Sequence, residues 1–199
     1  MTDKHFIDAN SQQQDAFELA ARVMQSGFQP TFIVAIWRGG AAIGATVQEF
    51  LACCGCKTDH IAIRTSSYLG IDKRSADIRV HGLHYLTKRL TSEDRVLLVD
   101  DVHDTGLSLA EVIKQIREQS EHQPQEIRSA TLYYKPTNSQ VSFKPDYYLH
   151  ETDKWLVFPH ELAGLTPQEL IEHKPGIASV KDWLLSHHQG MDYKNTHQE

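Results

Sequence analysis

No apolar run in this 199-residue chain reaches the length of a transmembrane helix, so no membrane is expected as a partner. No basic block appears either. Twenty Lys and Arg stand against 26 Asp and Glu, a formal net charge of −6. Nucleic acid is therefore not an expected partner, because binding its phosphate backbone needs a basic footprint. The N-terminus, Met1-Thr2-Asp3-Lys4-His5, opens no long apolar stretch. No secretory leader is read there, and the expected location is cytoplasmic. Cysteine is scarce. Cys53, Cys54 and Cys56 form one odd cluster, which is no disulfide framework and lacks the fourth ligand and separated pairs usual for zinc. They are expected to be buried or half-buried. No internal repeat or low-complexity linker divides the chain. At 40% hydrophobic residues, 1–199 reads as a single domain, with a core of about 28–161 and a helical extension over 165–185.

The chain is organised around residues 96–109. Val96, Leu97, Leu98 and Val99 form a continuous apolar run, as in a strand covered on both faces of a parallel sheet. Asp100 and Asp101 follow where that strand is expected to end. A short polar loop with Thr105, Gly106 and Ser108 comes next, and residues 110–117 carry a helical apolar period. Strand, turn and helix in this order put ligands at the carboxyl end of a parallel strand. Gly106 lets backbone N–H groups converge on an anion, Thr105 and Ser108 add hydroxyl donors, and the next helix begins with unpaired N–H groups. The two carboxylates would repel a phosphate unless hydroxyls or a divalent cation stood between. A ligand with phosphate, ribose hydroxyls and Mg2+ satisfies all these groups together.

The same order occurs earlier. Residues 12–26 read as an amphipathic packing helix, and residues 31–37 as a buried strand. Arg38-Gly39-Gly40 follows at once, then a helix of small residues. The glycines allow close approach, and Arg38 offers several fixed donors to an anion. Residues 60–65 read as another strand. From Ser66 to Ala76 the apolar period disappears, so a mobile polar loop is expected there, with Lys73 and Arg74 adding positive charge. Residues 127–134 form a further strand that ends in Lys135-Pro136, which puts a lysine on the same side of the sheet as Asp100. Trp155 then offers a flat ring suited to an aromatic base. Thr166-Pro167-Gln168-Glu169 has the pattern of a capped helix start. Val180, Trp183, Leu184 and Leu185 form another apolar face.

Residues 96–109 closely resemble the phosphoribosyl-pyrophosphate (PRPP) motif of type I phosphoribosyltransferases, and the resemblance extends by motif order over residues 31–161. It implies an α/β fold: an open, mostly parallel sheet flanked by helices, with a mobile flap and a small hood. Arg38-Gly39-Gly40 resembles the family's pyrophosphate loop, where a non-proline cis peptide is often found. Ser67-Tyr68 resembles the Ser-Tyr pair on the catalytic flap of the purine enzymes. Lys135 resembles the lysine that meets the purine 6-oxo group. Trp155 and Leu156 resemble the segment that stacks on the base and pairs with its edge. Glu161 stands where many members have a metal-binding aspartate, and His160 where relatives often have tryptophan.

The implied reaction is Mg2+-dependent transfer of 5-phosphoribose from PRPP to a 6-oxopurine (hypoxanthine, guanine or xanthine), with release of pyrophosphate. The implied PRPP site is Arg38, Gly39, Gly40, Ser67, Tyr68, Asp100, Asp101, Asp104, Thr105, Gly106, Leu107 and Ser108. The implied metal ligands are Asp100, Asp101 and Glu161, and Asp104 is the expected general base ahead of its neighbour His103. A homodimer is expected, since dimers are common in the resembling family. A PRPP-sensing regulator on the same fold is the alternative. A nucleotide hydrolase or an interaction protein fits the retained residues less well.

Overall fold

A computed structural model describes residues 4–69 and 76–188; the side chains of residues 67–69, 76 and 77 are also outside the description. In chain order the elements are β1 (Lys4–Phe6), α1 (Ala9–Gln25), β2 (Phe32–Trp37), α2 (Gly39–Cys53), β3 (Asp59–Leu69) and β4 (Ala76–His81). Next come α3 (His84–Thr87), β5 (Arg95–His103), α4 (Leu107–Gln119), β6 (Glu126–Tyr134), β7 (Tyr147–Glu151) and β8 (Trp155–Val157). The chain continues with α5 (Pro167–His173), a 3-10 helix (Pro175–Val180) and α6 (Lys181–Ser186). The described residues fall into two compact units. The larger holds 10–66 and 78–153; the smaller holds 4–9, 154–188 and the segment ends near 67 and 77.

The larger unit is built on a six-stranded sheet in the order β4-β3-β2-β5-β6-β7. β2 runs parallel to β3 and β5, and β6 runs parallel to β5 and β7. Both faces of the middle strands are covered, which is why they read as continuous apolar runs. Phe32, Val34 and Ile36 of β2 and Val96 and Leu98 of β5 alternate into one core with Leu109, Val112 and Ile116 of α4. The intervening residues are equally buried and lie on the side where α2 packs against β2 and β5. This is the open α/β sheet flanked by helices expected from the sequence.

Several boundaries differ from the sequence reading. β5 does not stop at Val99 but runs to His103, so Asp100 and Asp101 sit within its last residues, with Asp100 opposite Thr131 of β6. Carboxylates interrupt the apolar pattern without ending the backbone ladder. β3 likewise runs past Thr65 to Leu69, and Ala76 opens β4, so the ends of the expected loop are strand. A polar sequence hides such a strand, because a ribbon at the sheet margin needs backbone bonds and not apolar side chains. Lys73 and Arg74 lie outside the described residues. Cys53 and Cys54 are exposed rather than buried, Cys56 is half-buried, and all three are free thiols. They follow the last buried turn of α2, whose core contact ends at Leu51.

The smaller unit pairs β1 with β8 in parallel, Lys4 opposite Trp155 and Phe6 opposite Val157. With three residues, β1 is too short to show a period in the sequence. Val157, Leu165 and Leu170 form the unit's core, flanked by Phe6, Leu162, Ile177 and Leu184. The expected start of α5 is there: Glu169 N–H donates to Thr166 Oγ1 at 3.2 Å, and Thr166 N–H donates to Glu169 Oε2 at 2.8 Å. Lys4 Nζ also donates to Glu169 Oε1 at 2.6 Å, tying β1 to α5. No helix among the described residues is long and apolar enough to cross a membrane.

Candidate active site

In the larger unit the carboxyl ends of β2, β5 and β6 carry the candidate residues. β2 delivers Arg38 across a cis peptide bond from Trp37. Gly39 and Gly40 then open α2 directly against the end of β5. A Cβ on Gly39 would fall 1.7 Å from Asp101 Oδ2, and one on Gly40 would fall 2.4 Å from the Val99 carbonyl oxygen. Close approach of a ligand is one reason for glycine here. The structure adds a second reason: the loop lies on the acidic pair with no room for a side chain. The Arg38 side chain is exposed, and its guanidinium meets no acceptor among the described residues.

The two aspartates order themselves through the backbone. Asp101 N–H donates to Asp100 Oδ1 at 2.9 Å, and Val102 N–H donates to Asp101 Oδ1 at 2.7 Å. Burial pushes the Asp100 carboxyl well above the usual range, and the Asp101 charge pushes the same way. A hydrogen bond from the Gly40 N–H opposes both. Two crowded, half-buried carboxylates form a set of hard oxygen donors that a small divalent cation suits. Among the described residues no three His, Cys, Asp or Glu side chains gather into a cation site. A cation held here would complete its shell with substrate oxygens and water, which is the habit of Mg2+.

The loop after β5 turns on Gly106, whose φ of +78° is left-handed. A Cβ there would meet His103 Nε2 at 2.4 Å and Val141 Cγ2 at 2.5 Å. α4 starts at the next residue, so the first N–H groups of the helix open beside Thr105 and Ser108. The Leu107 N–H leans on Thr105 Oγ1 at 3.4 Å, and Gln140 N–H fixes the Thr105 carbonyl at 2.9 Å. Thr105, Gly106, Leu107 and Ser108 thus lie together at the N-terminus of α4.

His103 and Asp104 part company. His103 is 1% exposed and turns into the protein, edge-on to Tyr134 and Phe143 and below Gly106. Burial lowers its pKa, although the Asp104 charge acts the other way. Asp104 turns outward. Lys135 Nζ donates to its Oδ2 at 3.0 Å and Asn138 Nδ2 donates to its Oδ1 at 2.9 Å. Lys135 is held at the end of β6 by its own N–H, which donates to the His103 carbonyl at 2.9 Å. Its ammonium is buried and meets Asp104 as its single acceptor among the described residues. Asn138 carries no motif in the sequence. Its only signal is its place one turn after Lys135-Pro136.

Ser67 and Tyr68 fall on the last residues of β3, where side chains are outside the description. In the smaller unit Trp155 is 42% exposed and Leu156 is buried on β8. A cavity lined by Trp155, Val157, Glu161 and Leu165 opens beside them. Glu161 closes the turn after β8: its Oε2 accepts the Phe158 N–H at 2.9 Å, and its own N–H donates to the Phe158 carbonyl at 3.0 Å. Lys174 Nζ reaches the same carbonyl at 2.5 Å. Burial lowers the Lys174 pKa, with the Glu161 charge opposing it.

Comparison with known proteins gives the same reading. The phosphoribosyl transferase domain matches residues 8–163. A hypoxanthine-guanine phosphoribosyltransferase from Lactococcus lactis is 30% identical over 152 residues, spanning 75% of this chain and 74% of that protein. The dog protein of the same name is 35% identical over 96 residues, 48% of this chain and 41% of its own length. A solved purine phosphoribosyltransferase from Pyrococcus horikoshii has a TM-score of 0.67 at 29% identity, covering 82% of this chain and 97% of that one. A cis turn with paired glycines, an acidic strand end and a left-handed glycine before a helix thus stand on a fold shared with the Pyrococcus protein, and the chain belongs to the type I phosphoribosyltransferase family.

Proposed function

We propose that the protein transfers 5-phosphoribose from PRPP to a 6-oxopurine, releasing pyrophosphate and forming the purine nucleotide. The observation that carries this reading is the Lys135 ammonium. It has three donors, it is buried, and Asp104 takes one of them. Buried donors need acceptors. A purine 6-oxo oxygen is an acceptor, whereas the 6-amino group of adenine is not.

The remaining roles follow from chemistry at each strand end. Thr105, Ser108 and the N–H groups that open α4 grip the 5′-phosphate. Asp100 and Asp101 orient the ribose hydroxyls. Breaking the ribosyl–oxygen bond develops positive charge on the sugar and negative charge on the leaving pyrophosphate. Arg38 and the N–H groups around Gly39 and Gly40 stabilise the leaving group. Asp104 takes or shares the imidazole proton of the base as the other ring nitrogen attacks C1 of the ribose. Mg2+ bound through Asp100 and Asp101 would supply Lewis-acid stabilisation of the pyrophosphate oxygens. Trp155 is proposed to stack on the base and the Leu156 backbone to pair with its edge. Ser67 and Tyr68 are proposed to cover the PRPP. Glu161 is proposed to bind a second cation with a carboxylate that also accepts the Phe158 N–H. The protein is proposed to act in the cytoplasm as a homodimer.

The test is incubation with Mg2+ and PRPP and, separately, guanine, hypoxanthine, xanthine or adenine, following nucleotide and pyrophosphate together. Nucleotide from a 6-oxopurine with equal pyrophosphate supports the reading. Tight PRPP binding with no product from any base would replace it with a PRPP-sensing regulator.

A further inference from the structure

Lys174 lies beyond the stretch that matches the phosphoribosyl transferase domain, which ends at residue 163. It ends α5 and is 6% exposed, and Phe158 beneath it is 2% exposed. Burying an ammonium is costly, and a methionine or leucine would fill similar space without that cost. What the charge gains here is one backbone oxygen and the attraction of the Glu161 carboxylate. The Phe158 carbonyl accepts Lys174 Nζ at 2.5 Å and the Glu161 N–H at 3.0 Å. The Phe158 N–H is held at the same time by Glu161 Oε2. Both backbone groups of the residue that follows β8 are thus clamped.

The clamp belongs to a closed circuit within the smaller unit. β8 leads into the Phe158–Glu161 turn, and the turn is bound by Lys174 at the end of α5. α5 is capped by Thr166 and Glu169, Glu169 binds Lys4, and Lys4 on β1 pairs back to Trp155 on β8. Leu165 and Leu170 fill the inside with Val157. A shift of the Lys174 contact therefore moves the backbone two residues from Leu156.

We propose that Lys174 is a positioning residue for base recognition, and that the segment after the family domain thereby helps to select the purine. This inference rests on the reading above, in which Trp155 and Leu156 face the base. Hydrogen bonds to a base edge fail within a few tenths of an ångström, so a loosened Phe158 turn weakens base binding and blurs discrimination among bases. The PRPP contacts assigned to Arg38, the paired glycines and residues 100–108 lie in the larger unit, and the KM for PRPP is expected to hold.

The test compares the wild-type protein with Lys174→Met, which keeps length and loses the donor, and Lys174→Gln, which keeps a shorter N–H donor. The KM for each 6-oxopurine, the KM for PRPP and the melting temperature are measured for all three. In Lys174→Met the KM for the base should rise about 10-fold, the loss of one hydrogen bond's geometry, with the KM for PRPP within twofold. The kcat/KM ratio between guanine and hypoxanthine should move toward one. Lys174→Gln should recover part of both effects, and it alone decides the matter if Lys174→Met does not fold. Equal rises in the two KM values, or a lowered melting temperature with both KM values unchanged, would overturn the proposal and leave Lys174 a structural residue. A wild-type protein that forms no nucleotide from any base would instead remove the functional reading itself, and the proposal with it.

Discussion

Lys135 Nζ and Asp104 Oδ2 lie 3.0 Å apart across the ends of β6 and β5, the lysine side chain 10% exposed and the aspartate 42%. The pair joins the proposed base-binding donor to the proposed general base before any ligand arrives. Each partner also lowers the cost of the other: the aspartate neutralises a buried ammonium, and the lysine fixes which way the carboxylate faces.

From this coupling, Asp104→Asn should lower kcat by about 10²–10⁴-fold, the range for loss of a general base. Lys135→Met should raise the KM for the base and lower kcat as well, because it releases Asp104. The double variant should lose much less than the product of the two single losses, since groups that act as a unit are not additive. A double-mutant cycle on kcat/KM checks this. Multiplicative losses would mean that the two residues work independently.

Gly39 and Asp101 make a second pair, and here the constraint is space. Gly39→Ala drives a methyl into the Asp101 carboxylate, whose Oδ2 would lie 1.7 Å away. Overpacking of this kind costs roughly 1–3 kcal/mol, so the melting temperature should fall by about 2–4 °C for each kcal/mol in a chain of this size. Adding Asp101→Gly opens the space and should restore most of the stability but none of the transfer activity. Calorimetry and the nucleotide assay separate the two outcomes. A Gly39→Ala protein as stable as the wild type would show that the loop does not rest on Asp101 in solution.

Asp100 gives a prediction with a definite pH sign. Burial and the Asp101 charge raise its carboxyl well above the usual range. The folded protein therefore binds this proton more tightly than the unfolded chain does. The resulting stability is fully present below the ordinary carboxylate pKa and is lost as pH rises through the raised folded value. Asp100→Asn removes that loss. The variant should melt above the wild type at pH 8, and the gap should close at acidic pH. Its transfer activity should fall at every pH. Mg2+ with PRPP should raise the wild-type melting temperature more than the variant's. If the variant melts lower at pH 8, the carboxylate is not under strain.

The sequence showed the middle of the sheet and the acidic and glycine-rich strand ends well, because both depend on local chemistry. Val96–Val99 is apolar because both its faces are covered, and Thr105-Gly106 is set by a left-handed turn that few residues adopt. What it hid depends on contacts made at a distance. The continuation of β5 through Asp100 and Asp101 is fixed by pairing with β6, not by any property of those residues. β1 has three residues and exists through its ladder with β8. Asn138 and Lys174 are unremarkable in sequence, and only the fold gives each a carboxylate or a carbonyl to hold.

His103 separates the two possible general bases. Its neutral ring is buried, its Nδ1 has no hydrogen-bond partner among the described residues, and burial lowers its pKa. For a base the sign is opposite to that of Asp100. The unfolded chain takes up the proton first, so stability is present above the ordinary histidine pKa of about 6.5 and is lost as pH falls through the lowered folded value. His103→Leu should flatten this acid-side loss while packing against the same Tyr134 and Phe143 rings. If Asp104 is the base, kcat should stay within a few-fold of wild type and the acid limb of the kcat profile should not move. If His103 is the base, kcat should drop by about 10²-fold or more and the limb should vanish. Melting curves and kcat measured between pH 5 and pH 8 on the same two proteins therefore assign the proton transfer to Asp104 or take it away.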